Sequence, residues 1–97
     1  MRTRTHPGEV LSEEFMKPLG LSATALSKML GVPTNRITTI VNGDRSVTAD
    51  TALRLGKLFD TTPEFWTNLQ TAYDLSIAAR SARRQIDAIR TLEKVVA

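Results

Sequence analysis

The sequence contains no cysteine and only one histidine, His6. Without cysteine, a disulfide framework, a thiolate metal site and a cysteine nucleophile are excluded, and a single histidine excludes a site built from several imidazoles. No apolar run approaches the roughly 18 residues needed to cross a bilayer, and the basic start of the chain lacks the apolar stretch of a signal peptide. These absences predict a cytoplasmic protein with no membrane partner, no metal and no cofactor.

The composition is that of an ordinary globular domain. The 97 residues are 41% hydrophobic and 24% charged, which argues against disorder and allows one domain with at most an appended element. The net charge of +3 comes from blocks of alternating sign, and the basic blocks include residues 22–45 and the C-terminal tail. Such blocks are often plain solvated faces, so they favour an anionic partner only slightly.

Turn and capping residues divide the chain into short helices. Acidic residues near a helix N-terminus favour a first helix over residues 9–17, which we expect Pro18 and Gly20 to stop. Serine and threonine can cap later helices, because their hydroxyl oxygens accept hydrogen bonds from the free N–H groups of the first turn. The expected caps are Ser22 for residues 23–30, Thr48 for residues 49–59 and Thr62 for a helix that starts with Pro63.

The segment after Pro33 can be interpreted in two ways. Its β-branched run, Ile37-Thr-Thr-Ile-Val41, followed by Asn42-Gly43, is also typical of a strand and hairpin turn. Strand alternation gives no consistent apolar face, whereas Ile37, Ile40 and Val41 share the i, i+3, i+4 spacing of a helix. We therefore predict a helix with Pro33 at its first position and Asn42-Gly43 as its C-terminal cap.

The last stretch, residues 82–96, has apolar residues at helical spacing among several arginines. Its apolar stripe is too narrow for a helix that stands alone. We expect it to form one helix that packs on a partner helix or on a second subunit.

The two segments between Ala23 and Asn42 fit a helix-turn-helix. A small residue is required where the helices cross, and Ser27 meets this requirement. The turn needs a residue that adopts a positive φ, which Gly31 can supply. Apolar residues on both helices would hold the crossing: Leu26, Leu30, Val32, Ile37 and Ile40.

The outer face of the second helix carries hydrogen-bonding side chains and no acid between Pro33 and Gly43. Arginine and asparagine can pair with base edges in the major groove, and hydroxyls, basic side chains and helix N-termini suit phosphates. An ordinary solvated face is the alternative, but such faces usually favour Glu, Lys and Gln over Thr. The base-reading candidates are Asn35, Arg36, Thr38 and Thr39, and the phosphate-binding candidates are Ser22, Lys28, Thr34, Asn42 and Arg45.

Residues 20–43 resemble the Xre/Cro-type helix-turn-helix, and further segments resemble the HigA (VapI-like) antitoxin family over roughly residues 6–75. The chain departs from many Xre-type domains at Ala23, where they carry a glutamine that contacts a phosphate. The segments that carry the narrower resemblance are His6-Pro-Gly-Glu9, Thr48-Ala-Asp-Thr-Ala-Leu-Arg-Leu55, and Pro63-Glu-Phe-Trp-Thr-Asn-Leu-Gln70 followed by Tyr73-Asp-Leu75.

The resemblance implies an all-α, five-helix Xre/Cro-like (lambda-repressor-like) domain with an additional C-terminal helix. We divide the chain into a basic N-terminal arm (1–7), a helix-turn-helix domain (8–75) and a C-terminal helical extension (76–97). The resemblance also implies a homodimer that binds a palindromic operator in double-stranded DNA and represses its own operon. Its expected protein partner is a HigB-like toxin, a RelE-like endoribonuclease that cuts mRNA.

Other functions remain open on the sequence alone. The chain could be a stand-alone regulator without a toxin, or a protein-binding module that has lost DNA binding. An enzyme is disfavoured, because the sequence offers no catalytic set and His6 is expected to be solvated rather than catalytic. Phe65, Trp66 and Tyr73 are more typical of core and dimer packing than of a surface on which bases stack.

Overall fold

The computed structural model describes residues 4–93, and every regular element in this range is a helix. The predicted architecture, five helices followed by one more, is confirmed. The first helix, α1, is continuous but changes its winding, with Pro7–Val10 and Lys17–Leu19 α-helical and Leu11–Met16 π-helical. The others are α2 (Ala23–Leu30), α3 (Thr34–Val41), α4 (Ala49–Phe59), α5 (Pro63–Ser81) and α6 (Arg83–Asp87).

The expectation that Pro18 stops the first helix is wrong. Proline has no N–H to donate, and its ring collides with the carbonyl four residues earlier in a regular α-helix. The wider π-helical turn before it changes this spacing, and the N–H of Lys17 bonds to the carbonyl of Ser12, five residues back. The helix therefore includes Pro18 and ends at Gly20, which has the left-handed conformation with φ of 64°.

The predicted caps mark the true helix starts. The hydroxyl of Ser22 accepts from the N–H of Ala25 at 3.0 Å, and that of Thr62 accepts from Phe65 at 3.1 Å. Thr48 also holds the capping position, but it makes no hydrogen bond to the backbone of the first turn. Pro33 is the cap itself, with ψ of 146°, so its prediction as the first helical residue is wrong by one position.

One hydrophobic core joins α1 to α5, and Trp66 lies at its aromatic end. The Trp66 side chain is fully buried, its ring centroid is 5.0 Å from that of Phe15, and its Nε1 donates to the hydroxyl of Thr61 at 2.9 Å. The prediction that Trp66 is a packing residue is confirmed. The buried hydrophobic residues are Leu11, Met16, Leu26, Leu30, Ile37, Ile40, Val47, Ala52, Leu55 and Trp66.

The C-terminal part differs most from expectation. The fifth helix, α5, continues to Ser81, so the boundary between residues 75 and 76 that divides the predicted domain from its extension lies inside this helix. The backbone leaves helical geometry at Ala82 (φ −110°, ψ 19°). The following helix ends at Asp87, so the single helix predicted over residues 82–96 is wrong; residues 94–97 lie outside the described range. The apolar side chains of this stretch are exposed, and a short helix without packing gains too little to extend further.

Candidate nucleic-acid interface

The crossing of α2 and α3 has the geometry that the sequence predicts. Ser27 is almost fully buried, its hydroxyl donates to the carbonyl of Thr24 at 2.8 Å, and it lies 3.1 Å from the hydroxyl of Thr34. Gly31 adopts a φ of 71° in the turn, and the N–H of Val32 closes the turn on the carbonyl of Ser27 at 3.0 Å. The two helices are therefore held by a small polar contact inside an apolar shell.

This crossing turns the polar side of α3 outward. Asn35 and Thr38 are exposed, while Thr39 is partly covered. The hydroxyls of both threonines donate back to the carbonyl of Asn35, at 3.3 Å from Thr38 and 2.5 Å from Thr39. Their oxygens can still accept hydrogen bonds, but to donate to a base or a phosphate each must first leave the helix backbone.

Arg36, one of the base-reading candidates, is held by an acid from another helix. Its Nη1 donates to Oδ2 of Asp50, and the side chain retains 28% exposure. The same oxygen accepts from Nε of Arg54 at 3.0 Å, and Nη1 of Arg54 donates to the carbonyl of Leu30 at 2.7 Å. The hydrogen bonds from Arg36 and then Arg54 lower the pKa of the Asp50 carboxyl below its usual value. The Asp50 carboxylate is therefore charged and links the turn, α3 and α4.

The phosphate-binding candidates around this face differ in whether their polar groups already form hydrogen bonds within the fold. Lys28, Asn42 and Arg45 are exposed. Ser22 and Thr34 are exposed as residues, but their hydroxyls already take part in the cap of α2 and in the crossing. The basic and amide side chains can therefore reach a backbone phosphate directly, whereas the two hydroxyls are shared with the fold.

The side chain of Gln70 holds the backbone of the loop after α3, a role that the sequence analysis did not identify. Its side chain is buried, its Oε1 accepts from the N–H of Val47 at 2.8 Å, and its Nε2 donates to the carboxylate of Asp74 at 2.9 Å. This contact spans 23 residues, so no local pattern could reveal it. It fixes the backbone two residues after Arg45.

His6 is a structural residue, so the expectation that it is solvated is wrong. Its Nδ1 accepts from the N–H of Gly8 at 2.9 Å and so caps α1, and its ring meets that of Tyr73 edge-on at 4.8 Å. Partial burial lowers the pKa of His6, while the charges of Asp74 and Asp44 oppose the shift. The Ser or Thr that usually marks a cap is absent, which is why the sequence did not reveal this role.

Two further observations concern residues 4–93 as a set. No helix in this part of the chain has the length and apolar character needed to cross a membrane. In the same range, no group of three or more His, Asp or Glu side chains is placed to hold a metal ion.

Comparison with known proteins places the chain among helix-turn-helix proteins. A helix-turn-helix family model matches residues 13–66. Virulence-associated protein I of Dichelobacter nodosus is 56% identical over 73 residues, which cover 75% of this chain and 68% of that protein. Two solved structures have the same fold along nearly their whole length. An addiction module antidote protein of the HigA family from Coxiella burnetii has a TM-score of 0.87 and 52% identity, covering 93% of this chain and 98% of that one. The Pseudomonas aeruginosa antitoxin HigA, solved with the higBA promoter, has a TM-score of 0.88 and 40% identity, covering 91% and 97%.

Proposed function

Since the chain belongs to the HigA (VapI-like) family of Xre-type helix-turn-helix proteins, we propose that it is an antitoxin that represses its own operon and neutralises a HigB-like toxin. The observation that carries the DNA-binding part is the outer face of α3, which is polar, free of acids and held outward by the buried crossing at Ser27. The Pseudomonas relative with the same fold was solved with promoter DNA.

In this proposal α3 enters the major groove. Asn35 and Arg36 contact base edges, with contributions from Thr38 and Thr39, because amide and guanidinium groups can form paired hydrogen bonds with adenine and guanine. Lys28 and Arg45 bind phosphates on either side and set the register of the protein on the duplex. The other phosphate contacts are assigned to Ser22, Thr34 and Asn42.

We assign the homodimer interface to the C-terminal extension, residues 76–97, which a second copy of the chain would cover. Ile86, Ile89 and Leu92 expose much of their surface, and a second copy would remove this apolar surface from water. The DNA-binding unit is residues 8–75, preceded by the basic segment 1–7, whose last two residues cap and begin α1. In such a dimer the two α3 helices lie about 34 Å apart and read a palindrome whose half-sites are one helical turn apart.

We assign the toxin partner from the family. The Coxiella relative is an antidote of an addiction module, so the partner of this chain would be a HigB-like protein, a RelE-like endoribonuclease that cuts mRNA in the cytoplasm. The protein itself acts by binding, without catalysis or a cofactor.

Two experiments test the two halves of the proposal separately. The first measures, by fluorescence anisotropy at low salt, the affinity of the protein for the DNA upstream of its own gene and for a scrambled duplex of equal length. We expect tighter binding to the upstream DNA; equal or absent binding would contradict repression and favour a protein-binding module.

The second experiment follows growth of cells that express the small reading frame adjacent to this gene, with and without this protein. We expect growth arrest that the protein relieves. A harmless neighbour, together with specific binding to the upstream DNA, would instead identify a stand-alone regulator.

A further inference from the structure

One carboxylate oxygen on α4 accepts hydrogen bonds from α3 and α4, and one of its donors also reaches the end of α2. Oδ2 of Asp50, in the first turn of α4, accepts from Arg36 of α3 and from Arg54 one turn further along α4. Arg54 continues the link to the end of α2 through its hydrogen bonds to the carbonyls of Leu30 and Gly31. Among residues 4–93, Asp50 is thus the only acid that the structure shows in an ion pair with α3.

The contact uses one edge of the Arg36 guanidinium. A guanidinium carries five N–H donors in a rigid plane, and the hydrogen bond to Asp50 is made through Nη1. The remaining donors suffice for the paired hydrogen bonds that an arginine forms with O6 and N7 of guanine. An arginine with no such partner must lose many rotamers when it binds, whereas one already held on a rigid helix loses fewer.

We propose that Asp50 is a positioning residue for DNA recognition, which holds Arg36 in the orientation that reads a guanine. The proposal rests on the proposed function, since it requires α3 to lie in the major groove. The proposal gives a role to α4, which contains none of the base-reading candidates predicted from the sequence. It also explains why a carboxylate lies beside a face that must approach a polyanion.

The negative charge and the positioning contact of Asp50 have opposite effects on DNA binding. Its charge repels every phosphate backbone alike, so its removal should strengthen binding to any duplex. Its contact with Arg36 concerns one base pair, so its loss should weaken binding only where that base pair is present. A substitution that removes the charge and keeps the size of the side chain therefore separates the two effects.

The test compares Asp50→Asn with wild type on the operator, on operator variants changed one base pair at a time, and on a scrambled duplex. We expect tighter binding of the variant to scrambled DNA and a fall of roughly fivefold or more in the preference for one base pair, which is the size of a single arginine–guanine contact. The same base pair should lose its preference in Arg36→Ala. Adding Asp50→Asn to Arg36→Ala should then cause no further loss of discrimination.

Asp60→Asn is the matched control. Asp60 is exposed and caps the C-terminus of α4, whereas Asp50 lies in the first turn of that helix. The substitution therefore makes the same change in net charge at a site away from Arg36. The φ of 56° at Asp60 is a conformation that asparagine tolerates well. We expect this variant to keep the full base-pair preference of wild type.

Several results would overturn the proposal. An equal gain in affinity for operator and scrambled DNA would leave Asp50 with a purely repulsive role. A uniform loss of affinity, accompanied by a lower melting temperature, would make it a structural link only. Loss of discrimination that persists in the Arg36→Ala background would separate Asp50 from Arg36. If wild type shows no preference for its operator, the proposed function itself fails, and this outcome is visible before any variant is made.

Discussion

At the scale of single residues, the position of α3 depends on one glycine near the start of the chain. A Cβ atom built on Gly8 would lie 1.8 Å from the carbonyl oxygen of Ile40 and 2.7 Å from its carbon. These are backbone atoms of α3, so no side chain can move aside to make room. The N-terminus of α1 therefore rests directly on the C-terminal turn of the helix that is proposed to read DNA.

We expect Gly8→Ala to destabilise the protein by about 3 kcal/mol, because an inserted methyl group must displace a helix backbone. Gly20→Ala is the control, since the space around Gly20 is open and only its positive φ is strained; it should cost about 1 kcal/mol. Urea denaturation of both variants measures the difference. Equal losses would show that α1 and α3 can shift apart at little cost.

The His6 cap makes stability depend on pH. The Nδ1 atom accepts a hydrogen bond, so the fold favours the neutral ring, and partial burial lowers the pKa of His6 below the ordinary value of about 6.5. The contribution of the cap is therefore fully present above pH 6.5 and is lost as the pH falls through the folded-state pKa. His6→Asn should remove this dependence, because an asparagine oxygen caps a helix without titrating there.

Melting temperatures between pH 7.5 and 5.5 test this prediction. Wild type should lose stability across the range more steeply than His6→Asn. His6→Ala should be less stable by about 1 kcal/mol at pH 7.5 and should also lack the histidine step. Parallel curves for wild type and His6→Asn would assign the pH dependence to other groups.

At the scale of the elements, the proposed function assigns a base-reading cation and a phosphate-binding cation to different helices of the helix-turn-helix. Arg36 lies on α3 and is held by Asp50, whereas Lys28 is exposed in the last turn of α2. If these assignments hold, the two cations should contribute differently to affinity for DNA. The contribution of Arg36 should depend on the base pair that it faces, and that of Lys28 on the salt concentration.

We expect Arg36→Ala to lose about 1–3 kcal/mol of operator binding and to relax specificity at one base pair. Lys28→Ala should weaken binding to all duplexes and reduce the slope of log affinity against log salt by about one. Anisotropy titrations at several salt concentrations measure both effects. Equal loss on operator and scrambled DNA would argue against base reading by Arg36, and an unchanged slope would remove Lys28 from the phosphate contacts.

At the scale of the whole molecule, one group of exposed apolar side chains lies towards the C-terminus and consists of Leu75, Ile77, Ile86, Ile89 and Leu92; other large apolar residues, such as Leu19, Met29 and Leu53, are exposed elsewhere on the surface. The molecule measures 57 × 22 × 22 Å, and α5 and α6 carry several large hydrophobic residues outside the core. Ile89 is 72% exposed. Such a surface is typical of a protein that binds a partner, and a palindromic operator would make that partner a second copy.

We therefore expect the double substitution Ile86→Asp with Ile89→Asp to shift the protein from dimer to monomer in sedimentation and to weaken operator binding. Gln85→Asp is the control, because it adds an acid to the same short helix at an exposed polar position. A wild type that sediments as a monomer both alone and on a full palindrome would contradict the dimer.

The sequence alone determined those features of this protein that are local in the chain. The caps at Ser22 and Thr62 and the glycine turn at Gly31 each depend on hydrogen bonds or φ angles within a few residues. The same holds for the choice of helix over strand after Pro33. Helical spacing also identified the apolar residues that hold the crossing of α2 and α3, since an apolar helix face must be buried.

Only the tertiary structure decided the contacts between distant residues. Arg36 and Asp50 are 14 residues apart, and Gln70 and Val47 are 23 apart, so no periodicity connects them. The end of α6 at Asp87 likewise depends on tertiary packing, because the large apolar side chains that the structure describes in this stretch are exposed rather than packed against another helix. A local pattern states which groups need a partner, but only the folded chain supplies that partner, because the helices bring together residues that the sequence keeps apart.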